Sequence, residues 1–314
     1  YIDHGDLRPV ARGRYVWVNT GLRVMSFLAT SGQLAWDSGE PMGWEALSSW
    51  KRRELFRGVA LPDLTNRVAT DGRHVIAALQ LPFTENKNDN IDGLTITVSL
   101  PERRLFAYDA VSGAPLWDHA PTTAQRLGGA ALDFPERARI AGPPEIWGDL
   151  VIVPSYELVG RINLYVTAYD LYSGALVWNR LVVSGQTRVN LFGEHEAEFN
   201  AAPLALDDGR VLVCSNLGVV AALDLATGQP LWTEEYRRYE LPRTNGYYTP
   251  SAQRRWHNGP PLVAGERFVI APIDSPDMLF GNVASGVLAA IEGNDLEDLA
   301  SAGLGRDRVD LDHP

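Results

Sequence analysis

Cysteine is almost missing from this chain: Cys214 is the only one in 314 residues. A single thiol excludes an intrachain disulfide and a Cys-x-x-Cys-His haem attachment. Within Val-Leu-Val-Cys-Ser-Asn it reads as a small buried hydrophobe. Long apolar runs are missing too, since none approaches the about 20 residues that a helix needs to cross a bilayer. Cationic charge is scarce: 28 Lys and Arg face 39 Asp and Glu, for a formal net charge of −11. That balance argues against non-specific nucleic-acid binding and against docking on anionic lipid. The sequence has no Gly-x-Ser-x-Gly elbow, no His-Glu-x-x-His pair and no phosphate loop. It opens on Tyr1 without an initiator Met or a signal peptide, which suggests a processed protein or part of a longer one.

What the chain does have is a repeated sentence. Val220 to Trp232 reads VAALDLATGQPLW, a Val/Ala/Leu-rich strand, a turn and the start of a returning strand. In the turn a carboxylate can accept backbone N–H bonds and glycine can take a positive φ. The same text recurs at 166–178 and at 104–117, and more loosely at 23–36. Ala107, Asp109, Ser112, Gly113 and Trp117 fill the pattern, as do Ala168, Asp170, Ser173, Gly174 and Trp178, and Ala222, Asp224, Thr227, Gly228 and Trp232. The first copy has Ser26 for Ala and Leu28 for Asp but keeps Ser31, Gly32 and Trp36. A constant motif at shortening intervals implies a fixed core with variable loops on one rim.

This pattern resembles the tryptophan-docking repeat of the PQQ-like (quinoprotein-type, BamB-like) β-propellers. That family includes quinoprotein alcohol dehydrogenases and a non-enzymatic outer-membrane assembly lipoprotein. The resemblance implies an all-β fold, a β-propeller of four-stranded antiparallel blades. Four full blades and part of a fifth are visible, which reads as a fragment of a larger six- to eight-bladed ring. In such a ring Trp36, Trp117, Trp178 and Trp232 are structural, covering the seams between neighbouring blades. Full burial of such a ring removes on the order of 200 Å² from water, and its truncation costs roughly 3–5 kcal/mol.

Taken in order, the blades fall at about 7–39, 67–120, 143–181, 202–235 and 260–292. Residues 40–64 interrupt the pattern: Trp44, Leu47 and Leu55 recur at near-helical spacing between Pro41 and Gly58, which predicts a short inserted amphipathic helix. Residues 84–93 insert TENKNDNIDG between two strands and read as a solvated hairpin loop. Asn88, Asn90 and Asp92 are a weak calcium-loop candidate there, because the bidentate Glu is missing and Ser99 stands in its place. The fifth unit opens at Pro260, with Gly286–Ile291 as its third strand, and there the motif fails: neither an Asp leading through Thr-Gly to Trp nor a closing strand follows. The acidic tail 293–314 is expected to be mobile or to lead into further sequence.

The richest loops are 184–200 and 236–259. The first holds Glu194, His195 and Glu196, a weak metal candidate better read as a solvated acidic loop or one paired with its neighbour's arginines. The second holds Arg237, Arg238, Arg254, Arg255, Trp256 and His257, with Arg and Trp in the proportions of an interface anchor. Tyr247, Tyr248, Trp44 and Trp50 complete the partner-binding candidates. A quinone site of the resembled family would need Ca²⁺ held by Glu and Asn, a catalytic Asp and a stacking Trp. No motif for these stands in the chain, the single cysteine excludes the vicinal disulfide found beside many such cofactors, and no cofactor, metal or catalytic residue is assigned. The leading reading is a non-catalytic scaffold that binds a protein partner within an envelope or periplasmic assembly, without a transmembrane segment of its own. A PQQ-dependent dehydrogenase and a carbohydrate- or polymer-binding propeller stacking on Tyr247, Tyr248 and Trp256 are the alternatives.

Overall fold

The structure, a computed structural model, describes residues 7–41, 43–45, 47–56, 66–91, 94–120, 134–158, 161–185, 199–239 and 258–292. Their strands form five antiparallel sheets, each a meander of four strands in chain order. The first is β1 (Val10–Arg12), β2 (Tyr15–Asn19), β3 (Val24–Leu28) and β4 (Leu34–Asp37). The second is β5 (Ala69–Thr70), β6 (His74–Ile91), β7 (Leu94–Asp109) and β8 (Pro115–Asp118). The third is β10 (Glu145–Trp147), β11 (Leu150–Leu158), β12 (Ile162–Asp170) and β13 (Leu176–Gly185), with β9 (Arg139–Ile140) also paired to β11. The fourth is β14 (Ala205–Asp207), β15 (Arg210–Cys214), β16 (Val219–Asp224) and β17 (Pro230–Glu235). The fifth is β18 (Leu262–Ala264), β19 (Arg267–Ile270), β20 (Asp277–Asn282) and β21 (Leu288–Glu292).

The central strands read as continuous apolar runs because both their faces are buried. Successive side chains of a strand point to opposite faces, and each face meets a different neighbour. Val75, Ala77 and Leu79 join Trp17 and Val24 of the first sheet, whereas Ile76 and Ala78 join Val151 and Val153 of the third. Ile152 turns the other way, toward Val211 and Val213, while Leu212 and Cys214 pack on Phe268 and Ile270. Four apolar clusters therefore straddle four seams between consecutive sheets.

At each seam the repeat supplies the same contact. The indole N–H of Trp36 donates to the Ala110 carbonyl at 3.0 Å, and that of Trp117 to Leu171 at 2.9 Å. Trp178 donates to Leu225 at 3.2 Å and Trp232 to Val283 at 2.8 Å. Each acceptor directly follows the turn Asp or Asn of the next sheet. The ring then covers that turn's glycine so closely that a Cβ on Gly113, Gly174, Gly228 or Gly286 would lie 2.5–2.7 Å from an indole carbon. These glycines also have positive φ, 67–73°, so two constraints exclude a side chain there. Trp36 is buried, and the other three rings are half-buried, less covered than full docking would give.

The turn is held by its first residue. One oxygen of Asp109 accepts the Ser112 N–H and hydroxyl, both at 2.7 Å, and Asp170 and Asp224 do the same for Ser173 and Thr227. The Ser112 N–H bond, and the Ser173 and Thr227 hydroxyl bonds, hold these three carboxyls below the ordinary aspartate range. Leu28 has no such oxygen, yet the backbone bond from Gly32 N to Leu28 O, 2.8 Å, closes the first turn alike.

The structure completes the fifth sheet, against the expectation of a partial one. Asp277–Asn282 is its third strand and Leu288–Glu292 its fourth. The turn between them is a fifth copy of the motif, with Asn282, Ser285 and Gly286: the Asn282 side-chain oxygen accepts the Ala284 and Ser285 N–H groups, both at 2.9 Å. An amide oxygen serves as well as a carboxylate here. The tryptophan position reads Ala290.

Two further expectations change. Residues 84–91 are strand, not loop, paired with 94–101 from Thr84↔Pro101 to Ile91↔Leu94. The β-prone Leu-Thr-Ile-Thr-Val-Ser-Leu opposite outweighs the low strand propensity of Asn and Asp. The inserted helix is α1 (Ser49–Phe56), which begins after Trp44 and Leu47. A four-residue α2 (Phe134–Arg137) precedes β9. The tail 293–314 lies outside the described residues.

His119, just after β8, sits in the seam between the second and third sheets. Its ring stacks on Trp117 at 5.1 Å and meets Tyr169 at 4.7 Å, and Nε2 lies 2.8 Å from the Gly174 carbonyl, so Nε2–H donates. Burial lowers its pKa, Arg104 lowers it further, and the Gly174 bond and Asp118 oppose.

Three outcomes follow from these seams. Trp36→Ala, the most buried case, is expected to lose roughly 3–5 kcal/mol in urea unfolding, and Trp117→Ala less. Gly174→Ala and Gly228→Ala should each lose about 1–3 kcal/mol from overpacking beyond the left-handed strain that Gly32→Ala also carries; equal losses at all three would contradict the contact. Because the folded state disfavours charged His119, its contribution is full above pH 6.5 and is lost as pH falls toward the lowered folded value. Melting temperature should therefore drop between pH 7 and pH 5, and His119→Gln should flatten that drop.

Candidate functional site

The rim and outer edge of the sheets hold what the repeat leaves free. In the first four sheets the pairing of the third and outer strands shifts by one residue beside the tryptophan. The residue before the indole falls out of register, as in a β-bulge, and Leu116, Val177 and Leu231 at that place are exposed. Leu34, Leu176 and Tyr172 are exposed nearby on the same outer edge. Trp50 on α1 is 68% exposed. The outer edge thus carries a broken band of exposed apolar side chains.

Trp44 does not belong to that surface, contrary to its reading as a partner-binding residue. It is fully buried in the segment before α1, and its indole N–H donates to the Gln80 carbonyl of β6 at 2.8 Å. The Arg52 guanidinium lies 5.8 Å over its ring and pairs with Glu40, which also holds Arg23 at 3.1 Å. Its own chain uses both the polar and the apolar part of this side chain.

Asn88 and Asn90 lie on β6, paired with Thr97 and Thr95. An extended strand sets alternate residues along one face, whereas a calcium loop must curl its oxygens around one ion. Asp92, Glu194, His195, Glu196, Tyr247, Tyr248, Arg254, Arg255, Trp256 and His257 lie outside the described residues. Among the described residues no three His, Cys, Asp or Glu side chains gather as a metal-binding set.

Two polar groupings were not legible as such. After β17 the chain binds the fifth sheet: Arg237 makes a bidentate pair with Asp277 at 2.7 and 3.0 Å, and Arg238 reaches Asp274 at 2.7 Å. Tyr236 donates its hydroxyl to Asp274 at 2.6 Å. Burial, then Cys214 and Asp274, raise the Tyr236 pKa, and burial pushes the Cys214 thiol up to about 12. The two arginines thus pair with Asp274, in the turn before β20, and with Asp277, the first residue of β20, where the sequence suggested the acidic loop. Asn216 and Asn258 extend this clasp at 3.1 Å. The second grouping is Glu102, Arg103 and Arg104 on β7 with Arg139 on β9, all buried. Arg104 pairs with Glu102 at 3.0 Å and donates to the Ala138 carbonyl at 2.9 Å. Three consecutive charges inside an apolar strand were its signal. Both groupings fasten one sheet to the next.

Among curated proteins, none matches this sequence significantly. Solved structures do match in shape. BamB from Moraxella catarrhalis is 19% identical at a TM-score of 0.47, over 92% of this chain and 65% of that one. The quinohemoprotein alcohol dehydrogenase of Comamonas testosteroni is 17% identical at a TM-score of 0.53, over 92% and 43%. A europium-containing methanol dehydrogenase is 15% identical at a TM-score of 0.48, over 92% and 52%. The chain spans less than two thirds of each. Of these three only the Comamonas enzyme exceeds a TM-score of 0.5, and at 17% identity it speaks for the fold alone. The family model described as outer membrane protein assembly factor BamB matches residues 21–248 and 162–289, most of the chain. With five four-stranded sheets joined by one repeated motif, this chain belongs to the PQQ-like, BamB-type family of β-propellers.

Proposed function

We propose that this chain is a non-catalytic propeller scaffold that holds a protein partner at its rim, as one subunit of an envelope-associated assembly. The match to the assembly-factor family over 21–248 and 162–289 carries this reading. The surface supports it: Trp50 stands 68% exposed, and Leu116, Val177 and Leu231 are presented at the outer edge by the same bulge that aims each indole inward. Exposed aromatics of this kind are the anchors that dominate binding energy at protein interfaces. The loop candidates Tyr247, Tyr248, Arg254, Arg255, Trp256 and His257 belong to the same proposal. So does placement in the periplasm or on the envelope, where the assembly would stand. No helix among the described residues is long and apolar enough to cross a membrane.

Crosslinking followed by affinity isolation of the full chain from source envelopes should recover one protein in fixed stoichiometry. Trp50→Ala should weaken that complex about 30-fold, the effect of a hot spot near 2 kcal/mol, and leave the melting temperature unchanged. Recovery of the chain alone, or alcohol-dependent dye reduction on adding PQQ and Ca²⁺, would overturn the proposal.

A further inference from the structure

Two residues beyond the indole, two of the four seams add a second bond across to the next sheet, and they make it with different chemistry. His119 follows Trp117, and its Nε2–H donates to the carbonyl of Gly174, the glycine under that indole, at 2.8 Å. Arg180 follows Trp178 in the same way, and its Nε–H donates to the equivalent carbonyl of Gly228 at 2.9 Å. In the first seam the place belongs to Ser38, whose hydroxyl takes the Val24 N–H at 3.0 Å and donates to the Gly39 carbonyl at 2.9 Å, within its own segment. In the fourth it belongs to Glu234, which is exposed and, when ionised, has no hydrogen to give. A guanidinium keeps its proton throughout the range in which proteins stay folded. An imidazole is the side chain that ordinarily changes charge between pH 5 and pH 8. The donor of the second seam can therefore switch, and its counterpart in the third cannot.

From this we infer that the seam between the second and third sheets is a proton-operated joint: neutral His119 fastens it, a second proton on the ring loosens it, and Arg180 at the same place keeps the next seam fastened whatever the pH. The surroundings of His119 set the sign. Its ring lies between Trp117 at 5.1 Å and Tyr169 at 4.7 Å. The neutral tautomer with hydrogen on Nε2 already satisfies Gly174, so a second proton enters at Nδ1 and brings a full charge among these rings. The charged and titratable groups that face it are Arg104 on β7, Asp118 on β8 and Tyr169 on β12. Arg104 is buried and paired with Glu102 at 3.0 Å, and burial holds the Tyr169 phenol protonated. Burial disfavours charged His119 most and Arg104 adds to it, while the Gly174 bond and Asp118 oppose without reversing the balance. The fastening is therefore complete above the ordinary value of 6.5 and fades as pH falls below it. What the joint holds is the contact of Ile76 and Ala78 with Val151 and Val153, so acid lets the first two sheets move against the last three. The joint needs no partner at the rim.

Hydrogen exchange of the indole N–H groups of the full chain, followed by nuclear magnetic resonance at pH 7 and pH 5, tests the joint. Rates are taken as ratios between indoles, so that the pH dependence common to all of them cancels. In the unaltered chain the rate of Trp117 relative to Trp178 should rise severalfold at pH 5, while Trp36 relative to Trp178 stays constant. His119→Gln keeps an N–H donor that does not titrate, and should hold the Trp117 ratio flat. Arg180→His moves the switch to the next seam, so Trp178 should then speed up at pH 5 relative to Trp36. Circular dichroism and the melting temperature at pH 7 confirm that each variant folds. A Trp117 ratio that does not change with pH in the unaltered chain would overturn the inference, as would a rise that survives in His119→Gln or a parallel rise at Trp36. A folded Arg180→His whose Trp178 stays indifferent to pH would overturn it too. Should His119→Gln not fold, the unaltered chain and Arg180→His decide between them.

Discussion

One interaction recurs wherever two sheets of this protein meet: an indole N–H bonded to the carbonyl that follows the next turn's Asp or Asn, with the ring lying on that turn's glycine. A four-stranded sheet by itself has two faces to cover and two edges to protect. Apolar burial covers the faces, since alternate residues of each central strand serve opposite seams. Burial is not directional, and nothing in it fixes where one sheet stops sliding over another. The indole does. Its N–H finds a single acceptor at 2.8–3.2 Å, and the glycine beneath admits it only in one place. The Asp or Asn oxygen that shapes the turn fixes that place in turn, so three side chains and one missing side chain act as a unit.

The same geometry decides what is left for function. Aiming the tryptophan inward shifts the outer strand by one residue, which pushes Leu116, Val177 and Leu231 toward solvent. An exposed apolar band at the outer edge is therefore a by-product of the seam, and loops on the rim can vary without disturbing the core. Secondary fastenings differ from seam to seam. Arg104 and His119 serve between the second and third sheets, and Arg237 and Arg238 with Asp274 and Asp277 between the fourth and fifth. A shared device with varied additions suits sheets that share one plan but face different surroundings.

The repeat made most of this legible. Asp-x-x-(Ser/Thr)-Gly-x-x-x-Trp names the turn, the strand after it and the seam residue together, because each letter answers to one contact. The closing strand of the fifth sheet was not legible because its turn lacks the Asp and its strand the Trp of the motif, while the turn needs only an acceptor oxygen and a glycine, which Asn282 and Gly286 provide. Trp44 was misplaced because near-helical spacing was counted from it, although Pro41 and Gly43 interrupt the helix and its N–H had an acceptor in β6 that no local pattern announces. The Asn-rich insertion read as a loop on its own composition, and only its partner strand, 94–101, shows why it pairs. Asp274 and Asp277 carried no motif, so the clasp they form with Arg237 and Arg238 is visible only once the fourth and fifth sheets stand side by side. The proposed partner-binding surface was least legible, since an exposed Leu or Trp acquires meaning from what touches it.

The claim that the indole bonds hold the sheets in place is tested most directly by hydrogen exchange at the indole N–H groups, followed by nuclear magnetic resonance with assignments from single Trp→Phe substitutions. The N–H groups of Trp36, Trp117, Trp178 and Trp232 should exchange only on the timescale of sheet separation, orders of magnitude more slowly than the exposed Trp50. If those four exchange as fast as Trp50, the seams are held by apolar burial alone and the account fails.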